Sequence, residues 1–536
     1  MICNVYDPLY PDGTPKTGAA LGPVMAFNPE MHNTCESNDK TASPTTYNTN
    51  STNPGQFDTD AVTLNMSYEL SDNSRLVYTG GYRDEEEDTY WEYDGTPMPW
   101  IWIEATNYYE QESHEIRYET VQDNYNLTVG AYFWDSTYHQ DWITRGSFWS
   151  TLVPPFLYEA MLVGAVGALR AEPGLENGLG PNYVQKLLQE QQTESQAVFA
   201  NLDYQLNDKV MLTFGIRYTE EEKTGIIKIP YIHAAAAAFG FGAPPLIEGL
   251  EFEDDNLSPE VALNYYINDD TSVYIAYKKA FKSGGIDNSA LPTASINPLS
   301  PTFEGFDALI YDSEEADGFE IGLKSNLMDG NMRLNATYYK YEYTDLQVQL
   351  FDAAIIQFST FNAGAVETEG FEADLLWYTD IEGLTVRSQF AWTDATNTGD
   401  FFTPGGENLK GSERSYSPEI AGSFGLSYDA SLFSGWRYNF STDARYSDDY
   451  GWGVYIDSPR QDSYWMNDAS LSVYSEDGTH SVNLIGRNLG DEIVIVTGGA
   501  TPGRISTQTG TSALIQDQNV TTQQGRTITL QYKYKM

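Results

Sequence analysis

Between Asn326 and Phe390 apolar and polar side chains alternate with period two, and this alternation limits the fold more than any other feature of the chain. Met332, Leu334, Ala336 and Tyr338 lie on one side of the pleat, and Arg333, Asn335 and Thr337 on the other. Phe371, Ala373, Leu375 and Trp377 repeat the split against Glu372 and Asp374. The turns Leu327-Met328-Asp329-Gly330-Asn331 and Thr379-Asp380-Ile381-Glu382-Gly383 punctuate the runs. A water-soluble sheet buries its apolar side under a second layer. Here the pattern repeats down nearly the whole chain and nothing is left over to cover it, so the apolar side is expected to face lipid and the polar side a lumen.

No Pro-rich or Ser-rich linker and no change of period divides the 536 residues, which favours one large β architecture. Short turns fall at 71–74, 122–125, 206–209, 267–272, 327–331, 379–383, 431–435 and 476–480, with long connections rich in Gly, Pro, Trp and acids between them. This is the asymmetry of a transmembrane antiparallel barrel with short periplasmic turns and long extracellular loops. The turns imply about sixteen strands and the alternating run 527–536 one more, roughly seventeen in all. The longest loops are expected at 135–193 and 220–256, with short helices at 156–170, 183–192 and 234–238.

A formal charge of -48, from 77 acidic and 29 basic residues, argues against a nucleic-acid partner. Aromatics make up 14% of the chain, which suits interfacial belts. The mean hydropathy of -0.44 resembles that of a soluble protein, but barrel strands carry lipid-facing side chains only at every second position. No apolar run reaches the roughly 18 residues of a membrane helix. Cys3 and Cys35 are the only cysteines. In an oxidising compartment they would close a loop of about 30 residues worth roughly 3 to 4 kcal/mol; otherwise one or both are free or pair elsewhere.

Enzymatic constellations are thin, and neither catalytic residues nor a cofactor is expected. His32, His114, His139, His233 and His480 form no close pair, and two distant cysteines make no zinc pattern. Neither a phosphate-binding Gly loop nor a nucleophile elbow is present. The acid groups 84–88, 220–222 and 251–255 read as loop charge, with calcium the rival occupant, although none has the spaced ligands of an EF-hand. Tyr90, Trp91, Trp100, Trp102, Trp142 and Trp149 are placed beyond the strands, where a ligand first lands. They either stack on that ligand or pack loop against loop.

Several strands carry more specific wording. The run Tyr274-Ile275-Ala276-Tyr277-Lys278-Lys279-Ala280-Phe281-Lys282-Ser283-Gly284-Gly285 resembles TonB-dependent outer-membrane receptors, as do Gly318-Phe319-Glu320-Ile321-Gly322-Leu323-Lys324, Asn362-Ala363-Gly364 and Gly370-Phe371-Glu372. Val482-Asn483-Leu484-Ile485-Gly486-Arg487-Asn488-Leu489-Gly490-Asp491 is similar to the penultimate strand of that family and its exit. The resemblance covers nearly all of 57–536.

It implies a receptor in the Gram-negative outer membrane, with a barrel of about 22 strands, closed by an N-terminal plug and energised by the TonB-ExbB-ExbD complex. The implied partners are that complex, outer-membrane lipid and lipopolysaccharide, and a small nutrient, with the protein a monomer. The nutrient favoured by family frequency is an iron-siderophore complex. By this comparison the plug, the TonB-contacting box, the signal peptide and about five strands are expected upstream of Met1. Residues 1–56 then form the end of an extracellular loop and 57–536 the barrel portion, which alone is not expected to carry out coupled uptake. Met536 stands where the family usually ends in an aromatic. Two rival readings are a passive porin or structural barrel, and a secreted acidic β-protein that binds carbohydrate.

Overall fold

The alternation passes into the fold with its two faces intact. Along the strand Leu246–Asn268, Leu257, Val261, Leu263, Tyr265 and Ile267 are exposed, while Asn256 and Ala262 on the other face are buried. A computed structural model describes residues 55–92, 102–145, 183–232, 246–287, 305–352, 357–403, 406–453, 460–500 and 518–535. Seventeen strands form one sheet. They are β1 Gly55–Ser71, β2 Ser74–Glu92, β3 Trp102–Val121, β4 Tyr125–Arg145, β5 Tyr183–Asn207, β6 Val210–Ile232, β7 Leu246–Asn268, β8 Thr271–Lys282 and β9 Glu314–Leu327. The remainder are β10 Met332–Thr344, β11 Val366–Tyr378, β12 Leu384–Asn397, β13 Ile420–Phe433, β14 Trp436–Ser447, β15 Tyr464–Ser475, β16 His480–Arg487 and β17 Thr527–Tyr534.

Each strand pairs antiparallel with its neighbours in sequence. All eight expected short turns join consecutive strands at one end of the sheet, and the long connections lie at the other. Both β1 and β17 run toward the short-turn end, and among the described residues each pairs on one side only. No described helix is long and apolar enough to cross a membrane, which says nothing of strands.

The apolar face is continuous in register. Leu263, Ile275, Ile321, Tyr338, Phe371 and Trp392 lie opposite one another across β7 to β12. Tyr428, Phe440, Leu471, Leu484 and Leu530 do the same across β13 to β17. Met332, Leu334, Ala336, Ala373 and Leu375 share the face of Tyr338 and Phe371, as the alternation requires. On the opposite face Asn335 Nδ2 donates to Asp374 Oδ1 at 3.1 Å, and Arg75–Glu119, Lys278–Glu320 and Arg445–Asp468 pair at 2.6, 3.5 and 2.7 Å.

Toward the long connections the apolar face ends in tyrosines. Tyr82, Tyr218, Tyr277 and Tyr338 donate their hydroxyls to Glu110, Glu220, Asp317 and Glu369 at 3.1, 2.9, 3.3 and 3.0 Å. Each ring lies on apolar surface and each hydroxyl meets a charge, the arrangement of an interfacial aromatic belt. On β9 the ten steps from Asp317 to Leu327, at about 3.3 Å each and tilted about 40°, give roughly 25 Å of apolar height, that of a lipid-facing band.

Two expectations are corrected. Residues 183–192 are the first part of β5 and not a helix, because they pair with β4 on one side and β6 on the other. Good helix formers at Gln185, Leu187 and Gln189 are overridden by that pairing, which buries all three. The long loops also begin later than expected: β4 continues to Arg145, β6 to Ile232, and β7 starts at Leu246. The acid groups at 84–88, 220–222 and 251–255 therefore lie on strands and not in loops. Among the described residues the only helical turn is the 3-10 segment Phe306–Leu309. The helices expected at 156–170 and 234–238, and Cys3 with Cys35, lie outside the described residues.

Candidate functional site

Beyond the tyrosine belt the inner side of the wall turns apolar. Leu187, Ile227, Ile229, Ile247 and Leu250 form a buried cluster there, which Ile286 and Leu309 complete from the connection between β8 and β9. Water would penalise such a patch if it were left open, so the chain folds back over it, with Gly285–Ile286 pairing antiparallel to Ile310–Tyr311. A second cluster, of Val348, Leu350, Ala363, Phe401 and Leu409, sits under the hairpin formed by Gln347–Asp352 and Gln357–Asn362.

That hairpin is fixed to the strand ends by a few side chains. Gln347 Nε2 donates to the carbonyls of Lys282, Ser283 and Asp312 at 3.2, 3.0 and 3.1 Å, and the Gln347 N–H donates to Glu314 at 2.8 Å. Asn362 Nδ2 donates to the carbonyls of Asp312 and Asp345, both at 2.8 Å, while its Oδ1 accepts from the Asp312 N–H at 2.8 Å. The Thr360 N–H donates to Asp287 Oδ2 at 2.8 Å. Gly284 permits a close approach: a Cβ there would collide with the Tyr311 carbonyl oxygen and lie 2.6 Å from the Phe252 ring. Asn488 does similar work at the exit of β16. With φ at 47° its Nδ2 donates to the Glu492 carbonyl and its Oδ1 accepts from the Glu492 N–H, each at 2.8 Å. The wording that stood out in the sequence thus marks the joints of the mouth.

Inside the mouth, Tyr339, Tyr341 and Tyr343 project from the inner face of β10. The Tyr341 hydroxyl donates to Glu320 at 2.7 Å, and Tyr339 Oη lies 3.3 Å from Thr393 Oγ1. Tyr341 is opposite Thr368, and Thr368 opposite Ala395. The carbonyl of Ala395 accepts from the Arg414 N–H at 2.9 Å, so residues 411–414 extend the wall as an added edge. Arg414 Nη1 donates to Asn397 Oδ1 at 3.2 Å. Burial holds this guanidinium below its usual pKa, with Glu314 acting the other way. Nearby cations are paired: Arg460 with Asp449 at 2.7 Å and Glu413 at 3.1 Å, and Lys410 with Asp400 at 3.5 Å.

The aromatics expected to meet a ligand are divided. Tyr90 and Trp91 lie on β2, Trp102 on β3 and Trp142 on β4, inside strands and not beyond them. Trp102 Nε1 donates to Glu104 at 3.4 Å, and Tyr90 is opposite that glutamate. Trp142 is directly opposite Leu187 and packs on its cluster from the same inner face, and its Nε1 donates to Thr144 at 2.9 Å. Trp100 and Trp149 lie outside the described residues. Among the described residues no three His, Cys, Asp or Glu converge as metal ligands. Arg414 and Tyr343 went unnoticed in the sequence. The available signal was the rarity of bases, 29 against 77 acids.

No curated protein sequence matches the chain. Among solved structures it is similar to the ferric yersiniabactin uptake receptor FyuA from Yersinia pestis, with a TM-score of 0.65 at 15% identity over 90% of this chain and 62% of that one. The siderophore receptor PiuA from Acinetobacter baumannii has a TM-score of 0.63 at 16% identity, covering 90% and 65%. The copper transporter OprC has a TM-score of 0.59 at 12%, covering 90% and 66%. At such identities the likeness concerns the fold, and this chain spans less than two thirds of the length of FyuA and PiuA. The model of the family described as TonB dependent receptor-like, beta-barrel matches residues 4–489, most of the chain, and the protein belongs to that family.

Proposed function

We propose that the chain is the barrel portion of an outer-membrane receptor that imports an iron-siderophore complex by TonB-coupled transport. The observation that carries this reading is the family match over residues 4–489, which coincides with a sheet whose apolar face is exposed from strand to strand. The siderophore receptors among its structural relatives favour an iron chelate, while OprC favours a second reading, uptake of copper. In the first reading residues 1–56 belong to an extracellular loop and 57–536 to the barrel. The protein acts as a monomer set in lipid and lipopolysaccharide, and TonB, ExbB and ExbD supply the energy. Tyr90, Trp91, Trp100, Trp102, Trp142 and Trp149 remain the aromatic candidates for its outer surface.

The test is accumulation of radiolabelled iron and copper in the native host, with the gene intact, deleted, or intact in a strain lacking TonB. Loss of accumulation from one ferric chelate in both altered strains is the expected result. Uptake unchanged by the deletion, or retained without TonB, would overturn the reading.

A further inference from the structure

Arg414 is a half-buried cation with no carboxylate within ion-pair reach among the described residues, in a chain of net charge -48. Desolvating a guanidinium is costly unless an anion or several acceptors compensate, and here one amide oxygen, that of Asn397, takes one of five donors. Other cations without an ion pair are differently placed. Lys228 and Lys282 are exposed to water, and Arg217 lies over the rings of Tyr132 and Phe199, 5.4 and 5.8 Å from their centroids. Arg414 is also held in place: its N–H is bonded to Ala395, and Asn397, which is 4% exposed, is anchored by donating to Ser412 Oγ at 2.9 Å.

A second open donor stands close by. Tyr343 is opposite Val366, and Val366 is opposite Asn397, so Tyr343 and Asn397 share the inner face two strands apart, roughly 10 Å between their Cα atoms. Among the described residues the Tyr343 hydroxyl has no hydrogen-bond partner, whereas Tyr339 and Tyr341 are both engaged. Glu314 acts electrostatically on both groups but is ion-paired to neither among the described residues, and a charged fork and a phenol on one inner face favour an oxygen anion over a neutral group.

We propose that Arg414 and Tyr343 together bind an anionic oxygen group, a carboxylate or catecholate, on the transported ligand, so that the receptor selects an anionic chelate over a neutral one. The inference rests on the receptor reading above and narrows it. An anion approaching this acidic molecule meets repulsion at long range, and Arg414 supplies the local compensation that lets it enter.

The experiment titrates the full-length receptor, purified in detergent, with citrate, ferric citrate, a ferric tricatecholate and a neutral ferric trihydroxamate, following intrinsic tryptophan fluorescence. Arg414→Gln is expected to weaken at least one anionic probe by about tenfold or more, Arg414→Lys by less, and the neutral chelate by nothing. Tyr343→Phe should weaken the same anionic probe. If Arg414→Gln does not fold, Tyr343→Phe and the loss of affinity with rising salt decide on their own. Three results would overturn the proposal: no anionic probe binds, the anionic probes bind all variants as they bind wild type, or the neutral chelate weakens equally. Arg414-dependent citrate binding without TonB-dependent uptake would leave this site standing and remove the transport reading. Uptake of a neutral chelate unaffected by Arg414→Gln would do the reverse.

Discussion

Asp477 shows how one side chain can set a turn. Its Oδ1 accepts from Ser475 Oγ at 2.6 Å and from the Thr479 N–H at 2.9 Å, and these bonds, together with the Thr479 hydroxyl, pull its pKa from 3.8 to about 2. A folded-state pKa below the unfolded one contributes stability that is complete above the unfolded value and lost as pH falls through the folded value. The advantage of wild type over Asp477→Asn should therefore be full above pH 4, shrink between about pH 4 and 2, and vanish below that, as read from unfolding midpoints. An advantage independent of pH across that window would show that the carboxylate is not the cause. Gly284 works by absence. Gly284→Ala must push apart the Tyr311 carbonyl and the Phe252 ring, at a cost of about 1 to 3 kcal/mol. Faster amide exchange along Gln347–Asp352 should accompany the loss, because Gln347 is bonded to the carbonyl of the preceding residue, Ser283.

At the scale of the strand, the alternating faces make opposite demands on neighbouring residues. Leu334→Arg places a charge on the lipid-facing side and should cost roughly 2 to 4 kcal/mol near the bilayer midplane, while Asn335→Arg, on the lumen side beside Asp374, should cost little. Chemical unfolding in liposomes measures both, and equal costs would contradict the assignment of faces. This layer was the most legible in the sequence, because period two and turn chemistry are local: all eight turns, the count of seventeen strands and the faces at Leu334 and Phe371 follow from them. Residues 183–192 misled because their propensity is also local, while their pairing with Trp142 and its neighbours is set by a strand some forty positions away. Arg414 was illegible for the same reason. Its meaning depends on Asn397 and on Tyr343, from another strand, and neither relation has a period.

For the whole molecule, the charge imbalance has a definite location. Level with Tyr82 of the tyrosine belt, Glu112, Asp135, Glu194, Glu222 and Glu253 lie directly opposite one another across five consecutive strands, on the outward face. None of the five has an ion pair within 4 Å among the described residues, whereas on the lumen side Glu119 meets both Arg75 and Arg117. Like charges directly opposite in a sheet are destabilising by roughly 0.2 to 1 kcal/mol per pair, and Glu194 takes part in two such pairs. Glu194→Gln keeps the shape of the side chain and removes both repulsions, so it should raise the melting temperature in detergent at low ionic strength. The gain should fade toward 1 M salt, where the screening length falls to about 3 Å. Glu119→Gln is the matched control with the opposite sign: it discards two favourable partners and should lower stability. A Glu194→Gln protein that melts below wild type at low salt would mean that the outward carboxylates are held by attractions and not set against one another.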